Sequence, residues 1–234
     1  LVEIHHLVVK IESQGRVVAM LNVDCVALIL GYPFVFLYFK TKIYYEDKSV
    51  QGRRIDGGAL IVSNHFNQSD YAQNMFVLCP HKLCVVAAEI AFNNPFLRFG
   101  MKFFGGIEAN RVTKDKSFVA KSIEEIKKGN LVQIFPEGHN TPDGKIHPFY
   151  KSYLAIPLES KAPIIPIVTD GNYGFFKRAR IIIGKPINVW DYMETDTYSR
   201  EDFTRLNDIV FNKVLELRQE IENRKNTERT NKNK

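Results

Sequence analysis

Four short stretches carry the residue types and spacing on which chemistry could rest. The first is Ser63-Asn64-His65-Phe66-Asn67-Gln68-Ser69-Asp70, which directly follows the apolar run Ala59-Leu60-Ile61-Val62. His65 is a candidate general base, and Asp70 a candidate partner that fixes the imidazole tautomer and stabilises the imidazolium. On a straight helix, residues five apart point roughly 140° away from each other. The two side chains therefore meet only if His65 sits in a strand-to-helix turn and Asp70 in the first helical turn. The second cluster is Gly105-Gly106-Ile107-Glu108-Ala109-Asn110-Arg111, where glycines allow close backbone approach and Arg111 can hold a phosphate with both arms of its guanidinium. The third, Phe135-Pro136-Glu137-Gly138-His139-Asn140, again follows an apolar run and presents a carboxylate on a sharp turn. The fourth, Ala162-Pro163-Ile164-Ile165-Pro166-Ile167, is a strand stiffened by two prolines.

These clusters need a scaffold, and the spacing of apolar residues supplies one. Candidate strands are 42–46, 59–63, 83–87, 131–135, 164–168 and 180–184, mostly short continuous apolar runs that suit a sheet buried on both faces. Helices alternate with them at 70–78 and 116–128, and a short one begins near Tyr150 and stops at Pro157. The alternation predicts one α/β domain over 42–198, with a mostly parallel sheet flanked by helices and ligands at the carboxyl ends of its strands. From Ser199 to about 223, Phe203, Leu206, Val210, Val214, Leu217 and Ile221 form one apolar stripe, predicting an amphipathic helix packed on the domain. Residues 224–234, mostly Lys, Arg, Asn and Thr, read as a disordered basic tail.

The first 41 residues are the most hydrophobic region and read as membrane-associating helices. Leu1, Ile4, Leu7, Val8 and Ile11 recur at helical spacing, and Val26 to Phe39 is an uncharged run of 14 residues. As a helix that run is roughly 21 Å long, short of the ~30 Å bilayer core. Its aromatic end and the lysines Lys40 and Lys42 suit an interface, so a pair of helices lying in or dipping into one leaflet is expected over a full span.

The formal net charge of +6 favours an anionic partner such as a phosphate-bearing ligand or an anionic membrane surface. No aromatic-plus-basic module supports nucleic-acid binding. Cys25, Cys79 and Cys84 make no even disulfide framework, which points to a reducing compartment. Cys79, His81 and Cys84 supply at most three metal ligands, and Cys84 falls inside a predicted buried strand, so no metal site is expected. G-x-S-x-G and H-E-x-x-H are both missing, so serine hydrolase and zincin chemistry lack support.

Taken in order and spacing, the four clusters resemble the glycerolipid acyltransferase family of the 1-acylglycerol-3-phosphate acyltransferase type. That family carries N-H-x4-D, G-x-I-x-x-x-R, F-P-E-G-T-R-S and a V-P-I-I-P-V-like strand. The resemblance runs from about residue 42 to 190 and takes in Asp143-Gly144-Lys145, Pro148-Phe149-Tyr150-Lys151 and Ile183-Gly184-Lys185-Pro186-Ile187. It implies that His65 and Asp70 are the catalytic pair. It places Gly106, Ile107, Arg111, Glu137, Gly138 and Lys151 at the acceptor, and Pro163, Ile165 and Pro166 at the acyl chain or in shaping the site. The implied reaction is direct acyl transfer from an acyl-CoA or acyl-carrier-protein thioester to the free hydroxyl of a lysophospholipid, with 1-acylglycerol-3-phosphate as the leading acceptor. It requires no bound cofactor and no metal. The implied location is the cytoplasmic face of a membrane.

This chain departs from the family pattern at several positions. His139 stands where the family has Thr, Asn140 where it has Arg, Glu108 for an apolar residue, Ala88 for a frequent Lys and Ser152 for Gly. An Arg-to-Asn change removes a full charge and a forked donor, to be replaced by Lys145 or Lys151 or not at all. Two other readings therefore stand beside the first. One is an enzyme of the same family with another acceptor, a different lysolipid or glycerol 3-phosphate. The other is a lipid-binding relative without catalysis.

Overall fold

The computed structural model describes residues 36–93, 95–110 and 116–232. Most of the expected membrane-associating segment, and Arg111, lie outside them. Seven strands form one sheet: β1 (Lys42–Tyr45), β2 (Ala59–Ser63), β3 (Leu83–Ala88), β4 (Ile107–Ala109), β5 (Leu131–Ile134), β6 (Ile164–Thr169) and β7 (Arg180–Ile183). Their spatial order is β1-β7-β6-β2-β5-β3-β4. All neighbours pair in parallel except β6 with β7, so the five strands from β6 to β4 point the same way. Reversing the chain at one edge gives the sheet its mixed character, while the carboxyl ends of β2, β5 and β3 open side by side. The six strands expected from continuous apolar runs all form. β4 was not expected as a strand, because three residues with Glu108 at the centre carry too little apolar signal.

Helix α1 (Asp70–Leu78) covers one face of the sheet, packing Val77 and Leu78 over Ile61, Leu131, Ile165 and Ile181. Between β3 and β4 run α2 (Ile90–Asn93) and α3 (Pro95–Phe103). The other face carries α4 (Ser117–Lys127), α5 (Ala155–Ser160) and α6 (Arg200–Lys232), which bury Val119, Ile123, Ile156, Leu206, Val210 and Val214 against Leu60, Val132 and Ile164. Alternate residues of β2 thus enter opposite cores, the period-two consequence of a sheet covered on both sides. Leu60 and Val62 face one core, Ala59 and Ile61 the other. Close approach at the start of β2 requires a glycine, since a Cβ on Gly58 would lie 2.0 Å from the Ile126 carbonyl oxygen.

Two helices differ from expectation. A helical turn does begin after Tyr150, a 3-10 turn at Lys151–Leu154, but Pro157 does not end the helix: it lies in the first turn of α5. The basic tail is helical instead of disordered, because α6 continues to Lys232. Ser199 and Asp202 cap its start reciprocally: Ser199 N–H donates to the Asp202 carboxylate (2.9 Å) and Asp202 N–H to Ser199 Oγ (3.2 Å). Near its end Glu228 accepts from Lys42 and Tyr44 of β1 and from Arg180 of β7. Burial raises the Glu228 carboxyl, yet these three donors bring it down to about 2. Arg224, paired with Glu220, also reaches the Tyr45 carbonyl. A composition that reads as solvated is therefore anchored by contacts more than 175 residues away in sequence. Among the described residues no helix is long and apolar enough to cross a membrane.

Candidate active site

The apolar run of β2 ends in Ser63, and the next residue extends the sheet with its side chain. Asn64 donates from Nδ2 to the Thr169 carbonyl (3.2 Å) and accepts the Thr169 N–H at Oδ1 (2.9 Å). The amide thus stands in for one more peptide of β2 against β6. This ties down the backbone immediately before His65. The turn that follows is closed locally: Asn67 N–H donates to Asp70 Oδ2 (2.8 Å), Ser69 N–H to Asn67 Oδ1 (2.9 Å) and Asp70 N–H to the Asn67 carbonyl (3.0 Å). α1 starts at Asp70, which brings its fully buried carboxylate back to the imidazole, with His65 Nδ1 and Asp70 Oδ2 3.1 Å apart. An ionised carboxylate only accepts, so Nδ1 carries the proton and Nε2 holds the lone pair. Packing fixes the ring as well: His65 stacks on Phe135 just past the end of β5, centroids 4.0 Å apart and planes 17° from parallel.

Glu137 fixes His65 from behind. It is fully buried, accepts the His65 N–H at Oε1 (2.8 Å) and accepts the His147 N–H at Oε2 (2.8 Å). Burial pushes its carboxyl above the ordinary value, and the two N–H groups work against that shift. Both oxygens are spent on backbone, so Glu137 positions the histidine and does not face an acceptor. Thr141 completes the cradle by donating its N–H (2.8 Å) and hydroxyl (3.1 Å) to the His65 carbonyl.

A cavity of about 600 Å³ opens at the carboxyl ends of β3, β4 and β5, lined by Val86, Ala88, Ile134, Phe135 and Tyr153, with Lys116 at its polar side. Its size lies within the range of small-molecule sites, and its lining is mostly hydrocarbon. Phe135 is shared, touching His65 and lining the cavity. Gly138 also lines it at φ +73°, and a Cβ there would come within 2.9 Å of the Tyr150 ring.

The remaining residues implied by the resemblance fall elsewhere. Gly106 packs on Met101, whose carbonyl would lie 2.8 Å from an added Cβ, and Ile107 is buried as the first residue of β4. Both lie at the start of β4, Gly106 half-buried and Ile107 buried. Lys151 donates to Thr204 of α6 (2.8 Å) while its neighbours Tyr150, Ser152 and Tyr153 line the cavity. Ile165 and Pro166 are buried in the middle of the sheet, and the half-buried Pro163 accepts the Leu60 N–H at its carbonyl (3.0 Å). The mostly hydrocarbon lining lies instead in the cavity beside Phe135. His139 and Asn140 are exposed, and the His139 ring meets the ring of His147, which is paired with Asp143. Among the described residues no group of three side chains is placed to hold a metal ion. Burial pushes the Cys84 thiol up to about 12, so it is not a nucleophile.

The sheet order and the His65–Asp70 pair at the end of β2 define an α/β protein with its candidate site on the strand carboxyl edge. Comparison with known proteins then places the chain: it belongs to the acyltransferase family, whose pattern matches residues 41–170. A 1-acyl-sn-glycerol-3-phosphate acyltransferase of Bacillus subtilis is 23% identical over 172 residues, covering 71% of this chain and 84% of the relative. The acl-2 protein of Caenorhabditis elegans is 24% identical over 188 residues, covering 77% of this chain and 65% of the relative. A 1-acyl-sn-glycerol-3-phosphate acyltransferase of coconut is 28% identical over 154 residues, where the match covers 61% of this chain and 48% of that enzyme. The solved PlsC acyltransferase of Thermotoga maritima shares the fold, with a TM-score of 0.56 and 20% identity over 77% of this chain and 73% of that one.

Proposed function

We propose that this protein transfers a fatty acyl group from an acyl-CoA or acyl-carrier-protein thioester to the free hydroxyl of a lysophospholipid, with 1-acylglycerol-3-phosphate as the leading acceptor and phosphatidate as product. The observation that carries this reading is the His65–Asp70 pair stacked against Phe135 beside an apolar cavity. In the proposed mechanism, His65 Nε2 removes the proton from the acceptor hydroxyl as its oxygen bonds to the thioester carbonyl carbon. Asp70 holds the imidazolium through Nδ1–H, with the acceptor hydroxyl in the place a serine takes in a triad. The tetrahedral intermediate collapses with loss of the thiolate, which takes the proton back from His65 and leaves as free thiol. The cavity receives the acyl chain, keeping hydrocarbon out of water while the thioester lies at Phe135.

The acceptor is lipid, and the site rim carries features that suit a membrane surface. Phe176 is fully exposed and Phe175, Phe36 and Leu37 are more than 45% exposed, with Lys40, Lys177 and Arg178 beside them. We assign this edge to the cytoplasmic face of an anionic membrane, so that an acceptor need not leave the bilayer. A second reading, with a different lysolipid or glycerol 3-phosphate as acceptor, is favoured by the exposed His139 and Asn140 in place of a threonine and an arginine.

Purified protein is expected to release thiol from acyl-CoA or acyl-carrier protein when mixed lysolipids are supplied, and mass spectrometry of the products names donor and acceptor. No thiol release across the panel removes the enzyme reading and leaves lipid binding. His65→Ala and Asp70→Asn are expected to lower kcat by roughly 10²–10⁴-fold. Undiminished turnover in His65→Ala would sink the mechanism while sparing the reaction.

A further inference from the structure

We propose that Tyr173 is a positioning residue for the His65–Asp70 pair: its phenol, delivered by the loop after β6, donates to Asp70 and holds the carboxylate against the imidazole. As a statement about catalysis this rests on the acyl-transfer reading above; as a statement about the pair it rests on geometry alone.

Asp70 is fully buried and needs a donor for each oxygen. Oδ2 receives the His65 Nδ1–H and the Asn67 N–H. Oδ1 receives the Tyr173 hydroxyl. Proton counting settles who donates to whom. The phenol oxygen also lies 3.0 Å from Gln73 Oε1 and 3.1 Å from Thr169 Oγ1, and Thr169 Oγ1 lies 3.0 Å from Gln73 Oε1. Tyr173 has one proton, and an ionised carboxylate is the strongest acceptor in reach. The Thr169 hydroxyl proton then serves Gln73 Oε1. The amide nitrogen of Gln73 donates to Thr41 Oγ1 (3.3 Å).

The ring itself is clamped. Tyr173 is buried, with Phe39 edge-on at 5.0 Å and Tyr38 at 6.5 Å between centroids. Gly171, at φ +65°, turns the loop back over Phe66, where an added Cβ would lie 2.9 Å from the ring. Burial and then the Asp70 charge push the phenol well above its ordinary value, so it stays a donor at any working pH. Among the described residues, other charges near the cluster are Glu137, which meets His65 through the backbone N–H, Asp170, paired with Arg180, and Arg218, packed over the ring of Phe66.

Removing the phenol proton leaves the Asp70 charge unshared, so it acts more fully on the imidazole. The test is nitrogen-15 NMR of the histidine rings across pH, with the His65 signals identified by their loss in His65→Ala. In Tyr173→Phe the His65 titration midpoint is expected to move up by about half a pH unit or more. In Asp70→Asn it moves down, and adding Tyr173→Phe to Asp70→Asn changes nothing further. Phe39→Leu, which loosens the ring packing and leaves the hydroxyl, is expected to leave the midpoint in place. A Tyr173→Phe curve that superimposes on the wild type overturns the proposal, as does an equal shift from Phe39→Leu or an undiminished Tyr173→Phe effect in the Asp70→Asn background. In turnover assays Tyr173→Phe is expected to lower kcat roughly tenfold or more with acceptor KM unchanged, and a rise in KM at constant kcat overturns it. If no acceptor turns over at all, the NMR result still decides the role of Tyr173, and only the acyl-transfer reading falls.

Discussion

Replacing Asn64 by alanine cuts both hydrogen bonds that extend the β2–β6 ladder past Ser63. The Thr169 N–H and carbonyl that they satisfy are buried, and neither can reach water when the amide is gone. An orphaned buried backbone group costs about 1–3 kcal/mol, so the pair costs about 2–5 kcal/mol once partial relaxation is allowed. For a chain of this size that lowers Tm by roughly 5–15 °C. The functional loss is expected to exceed the stability loss, because Asn64 precedes His65 directly and a shift of about 1 Å in a base can cost ~10²-fold in rate. Asn64→Asp sharpens the test. It keeps an acceptor for the Thr169 N–H but sets a buried carboxylate against the Thr169 carbonyl, so it is expected to be worse than alanine at neutral pH despite its closer shape. Calorimetric melting gives the stability arm, and thiol release at 20 °C, below the expected transitions, gives the rate arm. An Asn64→Ala protein that melts within 2 °C of the wild type and turns over normally would refute the view that this amide carries the backbone of the site.

Two further changes probe the cavity and the terminal helix. Ala88→Phe fills the cavity beside Val86 and Ile134, and is expected to abolish transfer of long acyl chains while sparing short ones, read as the chain-length profile of the lipid products. Glu228→Gln unpins the end of α6. Because the wild-type carboxyl lies at about 2, below its ordinary 4.5, folding favours the charged form. Its stabilisation is therefore present above about pH 4.5 and lost as pH falls toward 2. After solvent screening the expected loss in the variant is about 1–2 kcal/mol at neutral pH, and the difference between the two melting curves should close as pH falls through that window. A constant difference across pH would mean that Glu228 acts through packing alone.

Much of the scaffold was legible before any tertiary contact. The six longer strands announce themselves because a sheet buried on both faces demands continuous apolar runs, and α1, α4 and the start of α6 follow from apolar periodicity and capping residues. The segment 90–103 was silent. α2 is only four residues long, with Ile90 exposed and Phe92 buried, and in α3 the exposed Phe99 and the helix-weakening Gly100 interrupt the reading. The tail was misjudged for a different reason. Its composition is that of a solvated chain, and its helicity depends on Glu228 meeting Lys42, Tyr44 and Arg180.

At the site the division follows sequence distance. His65 and Asp70 were readable as a pair because five residues of strand-turn-helix determine their approach, and local hydrogen bonds close that turn. Motif membership could not reveal direction. Glu137 turns inward to two backbone N–H groups, Lys151 turns to Thr204, and Ile165 and Pro166 stay within the sheet, since a side chain's target is set by whichever packed surface lies opposite. Phe135, Thr141 and Tyr173 carried no signal toward His65 and Asp70. They arrive from 70 to 103 residues away in sequence, placed only when β2, β5 and β6 align. The sequence by itself determined the His65–Asp70 pair and the strands that present it. The folded sheet decided what holds that pair in place and where a hydrocarbon chain can lie, because both depend on which strand ends become neighbours.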